Sequence, residues 1–161
     1  PRGNGVGIEL PSMTEKLEIG KGRIIKEGKK IALINFGARL NECWIASESL
    51  KKKGINITLV DARFVKPLDE SLIWQMATDH EAIITIEEGS IGGFGSHVVD
   101  FLSKKGLLDA NLKFRSLTLP DIFIDQDTPE NMYKNANLDA ISLEDKILDL
   151  LNSNIILQKQ K

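Results

Sequence analysis

Three short apolar runs constrain this chain most: "KIALINFG" ending at Gly37, "INITLVDARF" ending at Phe64, and "EAIITIE" ending at Glu87. Each is too short for a buried helix and is bounded by turn residues. The last two are also rich in β-branched side chains, so all three read as strands covered on both faces. Helical patterns lie between and after them. In "LNECWIASESLKKKG", Leu40, Trp44, Ile45 and Leu50 fall at roughly helical spacing, and three lysines precede a stop at Gly54. In "PLDESLIWQMATDH", Asp69 is placed to cap a helix whose apolar face is Leu72, Ile73, Met76 and Ala77. The third run leads through a glycine-rich turn into a helix predicted from about Ser96 to Lys105.

The flanks extend the pattern. "GRIIKEGKK" predicts a short strand turning at Gly28, and "KFRSLTLP" a further strand closed by Pro120. Thr128-Pro129 supplies an N-cap followed by proline at the first helical position. "SLEDKILDLL" opens with a Ser-x-x-Asp arrangement resembling a capping box and carries Leu143, Ile147, Leu150 and Leu151 as its buried stripe. Strands alternating with helices through short loops require right-handed crossovers, hence one three-layer α/β/α domain with a mostly parallel sheet. Residues 1–20 lack periodicity and read as a lead-in, and residues 153–161 as a loose tail.

Composition narrows the partners. With 161 residues and 42% hydrophobic content the chain suits a single core. A formal charge of −2, with lysines interleaved among acids, offers no basic block for nucleic acid. No apolar run reaches membrane-spanning length. The single cysteine, Cys43, cannot form an internal disulfide, which agrees with a reducing compartment. The start at Pro1-Arg2-Gly3, without an initiator Met, agrees with a piece of a longer protein.

Candidate chemistry is sparse. The turn from Gly89 to Gly95 resembles a phosphate cradle, yet Gly93-Phe94-Gly95-Ser96-His97-Val98 lacks the third glycine of a dinucleotide fingerprint. Glu87 and Glu88 at its mouth, if unpaired, would repel a phosphate. A structural turn is the plainer reading, and an interface loop is a third. His97 lies in the first turn of a helix, where Glu87 or Glu88 could serve it as an acid–base partner. His80 sits at a helix end and reads as a C-terminal cap. Cys43 reads as a half-buried helix thiol, and with two isolated histidines it makes no metal-ligand set. Asp61 and Arg63, two apart at a strand end, suit an ion pair, and Trp44 and Trp74 sit at core spacing. Arg2, followed by Gly3, Asn4, Gly5 and Gly7, offers a planar donor fork for a phosphate or carboxylate.

Several segments together carry a family resemblance. "PRGNGVGIELP", "LEIGKGRIIKEGKKIALINFG", "VDARFVKPLDESLI", "HEAIITIEEGSIGGFGSHV", "GLLDANLKFRSLTLPD" and "FIDQDTPENMY" resemble, in order, the C-terminal part of the 1-deoxy-D-xylulose-5-phosphate synthase family. The resemblance runs from residue 1 to about residue 151. It implies a transketolase C-terminal-domain-like fold over residues 21–152, with about five strands of which one is antiparallel. Residues 1–20 would then be the end of a middle, pyrimidine-binding domain and a linker. The implied enzyme is a homodimer using thiamine diphosphate and Mg²⁺. It condenses pyruvate with D-glyceraldehyde 3-phosphate, losing CO₂, to give 1-deoxy-D-xylulose 5-phosphate for isoprenoid, thiamine and pyridoxal phosphate synthesis. The setting implied is a bacterial cytoplasm, or a plastid in a eukaryote. Cofactor and metal would bind outside this chain, which has no Gly-Asp-Gly, and no catalytic residue carries over. Pro1-Arg2-Gly3 matches the family's Tyr-Pro-Arg-Gly segment, which implies that Arg2 contacts the phosphate of glyceraldehyde 3-phosphate. Alone, the chain is expected to be inactive and to serve fold and dimer.

Overall fold

The computed structural model describes residues 16–158, with side chains through Asn152. Arg2 and the expected lead-in up to residue 15 lie outside the described residues, as does the end of the expected tail, 159–161. The strands are β1 (Arg23–Lys26), β2 (Ile31–Phe36), β3 (Thr58–Asp61), β4 (Ala82–Glu87) and β5 (Lys113–Leu117). The helices are α1 (Leu40–Lys52), α2 (Glu70–Asp79), α3 (Phe94–Lys104), α4 (Pro129–Asn135) and α5 (Ala140–Gln158). They build a five-stranded sheet in the order β1-β3-β2-β4-β5. Pairings among β2, β3, β4 and β5 are parallel, and β1 runs antiparallel to β3. This is the mixed α/β sheet the sequence predicts.

Alternation along the central strands splits the core in two. Ile31, Leu33, Leu59, Ile84 and Ile86 face α1, α4 and α5. Ala32, Ile34, Val60 and Ile83 face α2 and α3. Because β2, β3 and β4 are covered on both sides, almost every residue in them is buried, which explains why these strands read as unbroken apolar runs. Burying a single Leu or Ile contributes about 1.5–3 kcal/mol, so these rows supply most of the driving force.

The helices depart from expectation in instructive ways. On α1 the buried residues are Cys43, Ala46, Ser47 and Leu50, while Trp44 and Ile45 are 43% and 47% exposed. Trp74 is likewise 45% exposed. Small residues face the sheet because they let α1 approach it closely, and the tryptophans lie on the outer flanks. Trp44 there receives Lys26, whose ammonium is 4.5 Å from the ring centroid. Cys43 is fully buried rather than half-buried, and burial pushes its thiol up to about 12. Helix α5 begins before Ser142: Asp139 accepts from the Ser142 N–H at 3.3 Å, so the capping acid is Asp139. Thr128 caps α4 as expected, accepting from Asn131 N–H, with Pro129 at the helix start.

Asp69 does cap α2, accepting from Leu72 N–H at 3.2 Å, and it also accepts from Gly22 N–H at 3.0 Å. One carboxylate thus ties the segment entering β1 to the start of α2. Burial pushes its pKa up, but hydrogen bonds from Ser71, Gly22 and Leu72, together with Lys21, outweigh that and hold it below the ordinary 3.8. Its stabilisation is therefore present above the unfolded-state pKa and is lost as pH falls through the lower folded value. Thermal melts of Asp69→Ala should show a loss of about 1–2 kcal/mol at neutral pH. The gap from the parent chain should narrow below about pH 4. A gap independent of pH would contradict the ionised cap.

Candidate functional site

In this strand order β2 connects outward to β3 on one side, while β4 lies on the other. The crevice between the carboxyl ends of β2 and β4 is the topological switch point, where open α/β sheets take their ligands. Here it is lined by Asn35 and Arg39 after β2 and by Glu87, Glu88 and the glycine loop after β4.

Glu87 is 5% exposed, and its side chain lies on the α3 face of the sheet. It accepts from Phe94 N–H through Oε2 and from Gly95 N–H through Oε1, both at 2.9 Å. The expectation of an unpaired acid repelling a phosphate is thus corrected. Glu87 is the anion that the helix N-terminus holds, using amides that would otherwise cradle a phosphate. A Cβ at Gly93 would overlap this carboxylate, and one at Gly89 would crowd it at 2.8 Å. Gly92 has φ +105, a backbone that L side chains rarely adopt. The glycines therefore wrap the chain around its own glutamate. Phe94 then stacks on Phe36, with centroids 5.4 Å apart.

Glu88 points the other way, as period two requires, and is also paired. Arg39 Nε lies 2.9 Å from its Oε1, a contact of charges in which the N–H is not aimed as a hydrogen bond. The Arg39 guanidinium lies over the Tyr133 ring of α4, its Cζ 3.6 Å from the ring centroid. Below them Asn35 is fully buried. Its Nδ2 donates to Gly37 O at 2.8 Å, and its Oδ1 has no hydrogen-bond partner among the described residues. Arg39, Tyr133 and Asn35 were not singled out in the sequence. Their signal is positional, since Asn35 and Arg39 flank the end of a buried strand, but only the strand order reveals that this end faces the crevice.

The remaining candidates separate from this cluster. With Glu87 and Glu88 both engaged, neither is free to partner His97. That imidazole lines a surface groove with Val65, Lys66, Asp100, Phe101 and Lys105. His80 caps α2, its Nδ1 3.0 Å from Met76 O and its Nε2 2.6 Å from Thr58 Oγ1, which assigns the Nδ1–H tautomer. Asp61 takes Arg23 Nε at 3.1 Å, with Arg63 Nε at 3.8 Å. Arg63 holds φ +58, a left-handed conformation unusual for a side chain of this size. Among the described residues no group of three or more His, Cys, Asp or Glu is arranged to hold a metal ion. With the α3 amides occupied by Glu87, the described residues do not fit thiamine diphosphate or Mg²⁺.

The strand order and the internally paired acids at its switch point define a three-layer α/β domain. Residues 20–143 match the family of the transketolase C-terminal domain, and the chain belongs to it. Among solved structures it is similar to a split-gene transketolase, an inactive β4 tetramer. The identity is 27% and the TM-score 0.79, over 90% of this chain and 46% of that one. A transketolase from Campylobacter jejuni subsp. jejuni shares 13% identity with a TM-score of 0.58, over 81% of this chain and 18% of that one, a likeness of fold alone. The chain spans less than half the length of either.

If Glu87 is the keystone of the loop, Glu87→Ala should cost about 2–4 kcal/mol in urea or thermal unfolding. Glu87→Gln, which keeps one acceptor oxygen, should cost less, and Gly93→Ala should destabilise by displacing the carboxylate. Equal, small effects for all three would remove Glu87 from that role.

Proposed function

We propose that this chain is the C-terminal domain of a thiamine-diphosphate-dependent enzyme of the 1-deoxy-D-xylulose-5-phosphate synthase type, and that it supports fold and assembly rather than chemistry. The observation that carries the supporting role is the switch point filled by Glu87, Arg39, Glu88 and Tyr133, where a ligand would otherwise sit. The particular enzyme is favoured by the ordered runs "DARFVKPLD" and "EEGSIGGFGSH". On this reading the intact homodimer joins pyruvate to D-glyceraldehyde 3-phosphate, with cofactor and Mg²⁺ held by other domains. Arg2, outside the described residues, contributes a bidentate contact to the aldehyde's phosphate.

A second reading is another transketolase-like enzyme, one that transfers a two-carbon unit between sugar phosphates. It is favoured by the 27% identity to the split-gene transketolase. Supplying the intact enzyme with pyruvate plus glyceraldehyde 3-phosphate, or with ketose and aldose phosphates, separates the two. CO₂ release coupled to the aldehyde supports the first. In the intact enzyme, Arg2→Ala should raise KM for the aldehyde about 10- to 100-fold while pyruvate decarboxylation is largely kept. Equal loss for both substrates would end the phosphate role. The chain alone should neither turn over nor bind thiamine diphosphate in calorimetry.

A further inference from the structure

On the face of the sheet covered by α2 and α3, a groove of about 350 Å³ lies between the loop after β3 and α3. Val65, Lys66 and Leu68 of the loop, with Glu70 at the start of α2, form one wall. His97, Asp100, Phe101 and Lys104 form the other, spaced by threes and fours along one stripe of α3, with Lys105 at its C-cap. A chain of formal charge −2 thus gathers three lysines and a histidine in one groove, against two acids. Lys104 is engaged, its Nζ donating to Asp100 Oδ2 at 2.7 Å. Lys105 lies over the Phe101 ring, Nζ 5.7 Å from the centroid, a contact that uses its charge but none of its N–H donors. The side chains of Lys66 and His97 make no hydrogen bond or ion pair with any described residue, and His97 is only partly exposed. The loop wall is preformed. Asp69 fastens it to Gly22 N–H, and Pro67 packs so closely on Gly20 that an added Cβ there would lie 2.7 Å from Pro67 Cγ. Little ordering cost therefore opposes a ligand.

We propose that this groove binds a small phosphate monoester. Such a group carries about −1.5 to −2 charges at neutral pH and three strong acceptor oxygens. That matches what Lys66, Lys105 and His97 leave unused, two ammoniums and an imidazole N–H. A carboxylate, with one charge and two oxygens, would leave a lysine unanswered. Helix ends alone do not account for the cluster. Lys104 and Lys105 answer the carboxyl-terminal dipole of α3, but Lys66 belongs to a loop and His97 to the opposite end of the helix. The rest of the lining suits the ester's carbon part. Val65, Leu68 and Phe101 offer apolar surface beside the cations, and Glu70, whose carboxylate has no partner among the described residues, can accept from a hydroxyl. The volume lies near the small end of ligand sites, about 300–1,000 Å³, which restricts the occupant to a small metabolite. Because the lysines are exposed to water and salt, binding is expected on the order of millimolar. This site does not depend on which transketolase-like reaction the parent enzyme performs.

The test is NMR of the imidazole protons in the 161-residue chain, titrated with glycerol 3-phosphate at fixed pH and ionic strength. The chain has two histidines, so each signal is readily assigned, and His80, held by Thr58 and Met76, serves as the internal reference. The His97 signal should move along a saturable curve while that of His80 stays. Lys66→Ala and Lys105→Ala, both at exposed positions, should each weaken binding about 3- to 10-fold. Lys52→Ala, which removes the same charge from the exposed side of α1, should leave the curve unchanged. Inorganic phosphate should bind more weakly than the ester, and acetate should give no saturable shift. A His97 signal that never saturates overturns the proposal. So does a shift that acetate reproduces, inorganic phosphate binding as tightly as the ester, or a Lys52→Ala variant weakened as much as Lys66→Ala.

Discussion

A carboxylate buried without donors is among the costliest things a fold can contain. Glu87 ends β4 in such a position, and the free amides at the start of α3 are what make it tolerable. Much of the carboxyl edge follows from that one pairing. It fixes where α3 begins, so that Phe94 meets Phe36, and it forces the intervening loop into a turn that only glycines can follow. It also commits the next residue to the opposite face, where Glu88 meets Arg39. Arg39 in turn gives Tyr133 a cation to lie against, a contact that helps seat the short helix α4.

The arrangement bears on how labour divides in a protein of this family. Sheets of this topology acquire ligand sites at the switch point because helix N-termini and loop amides converge there. In this domain those same groups are satisfied internally by acids from the adjacent strand. The electrostatic features that would attract a phosphate are present but spent on holding the loop.

Much of this was legible in the residues. The unbroken apolar runs identified the doubly covered strands because burial on both faces leaves no polar position to fill. Asp69 and Thr128 announced their helices because capping is a local effect, decided within three residues. What failed was non-local. Helical spacing placed Trp44, Ile45 and Trp74 in the core, whereas α1 turns Cys43, Ala46, Ser47 and Leu50 inward and α2 turns Ile73, Met76 and Ala77. The acids at the glycine loop looked repulsive because their partners lie several residues ahead, in Glu87's case, or 49 positions back, in Glu88's. Arg39 and Tyr133 drew no notice because only the strand order brings them together.

The two halves of the core also differ in when they can exist. The face built by α2 and α3 is complete, apart from the residues around Leu112 and Phe114, once the chain has reached Lys104. The face over α1 waits for Leu138, Leu143, Ile147 and Leu150, near the end of the chain. During synthesis a ribosome therefore carries a sheet with one side packed and the other covered by α1 alone, and Ile84 and Ile86 lack part of their cover until α5 emerges. Such a nascent chain presents the kind of apolar strand surface that chaperones hold, and its release is timed by the last helix rather than by the first strands.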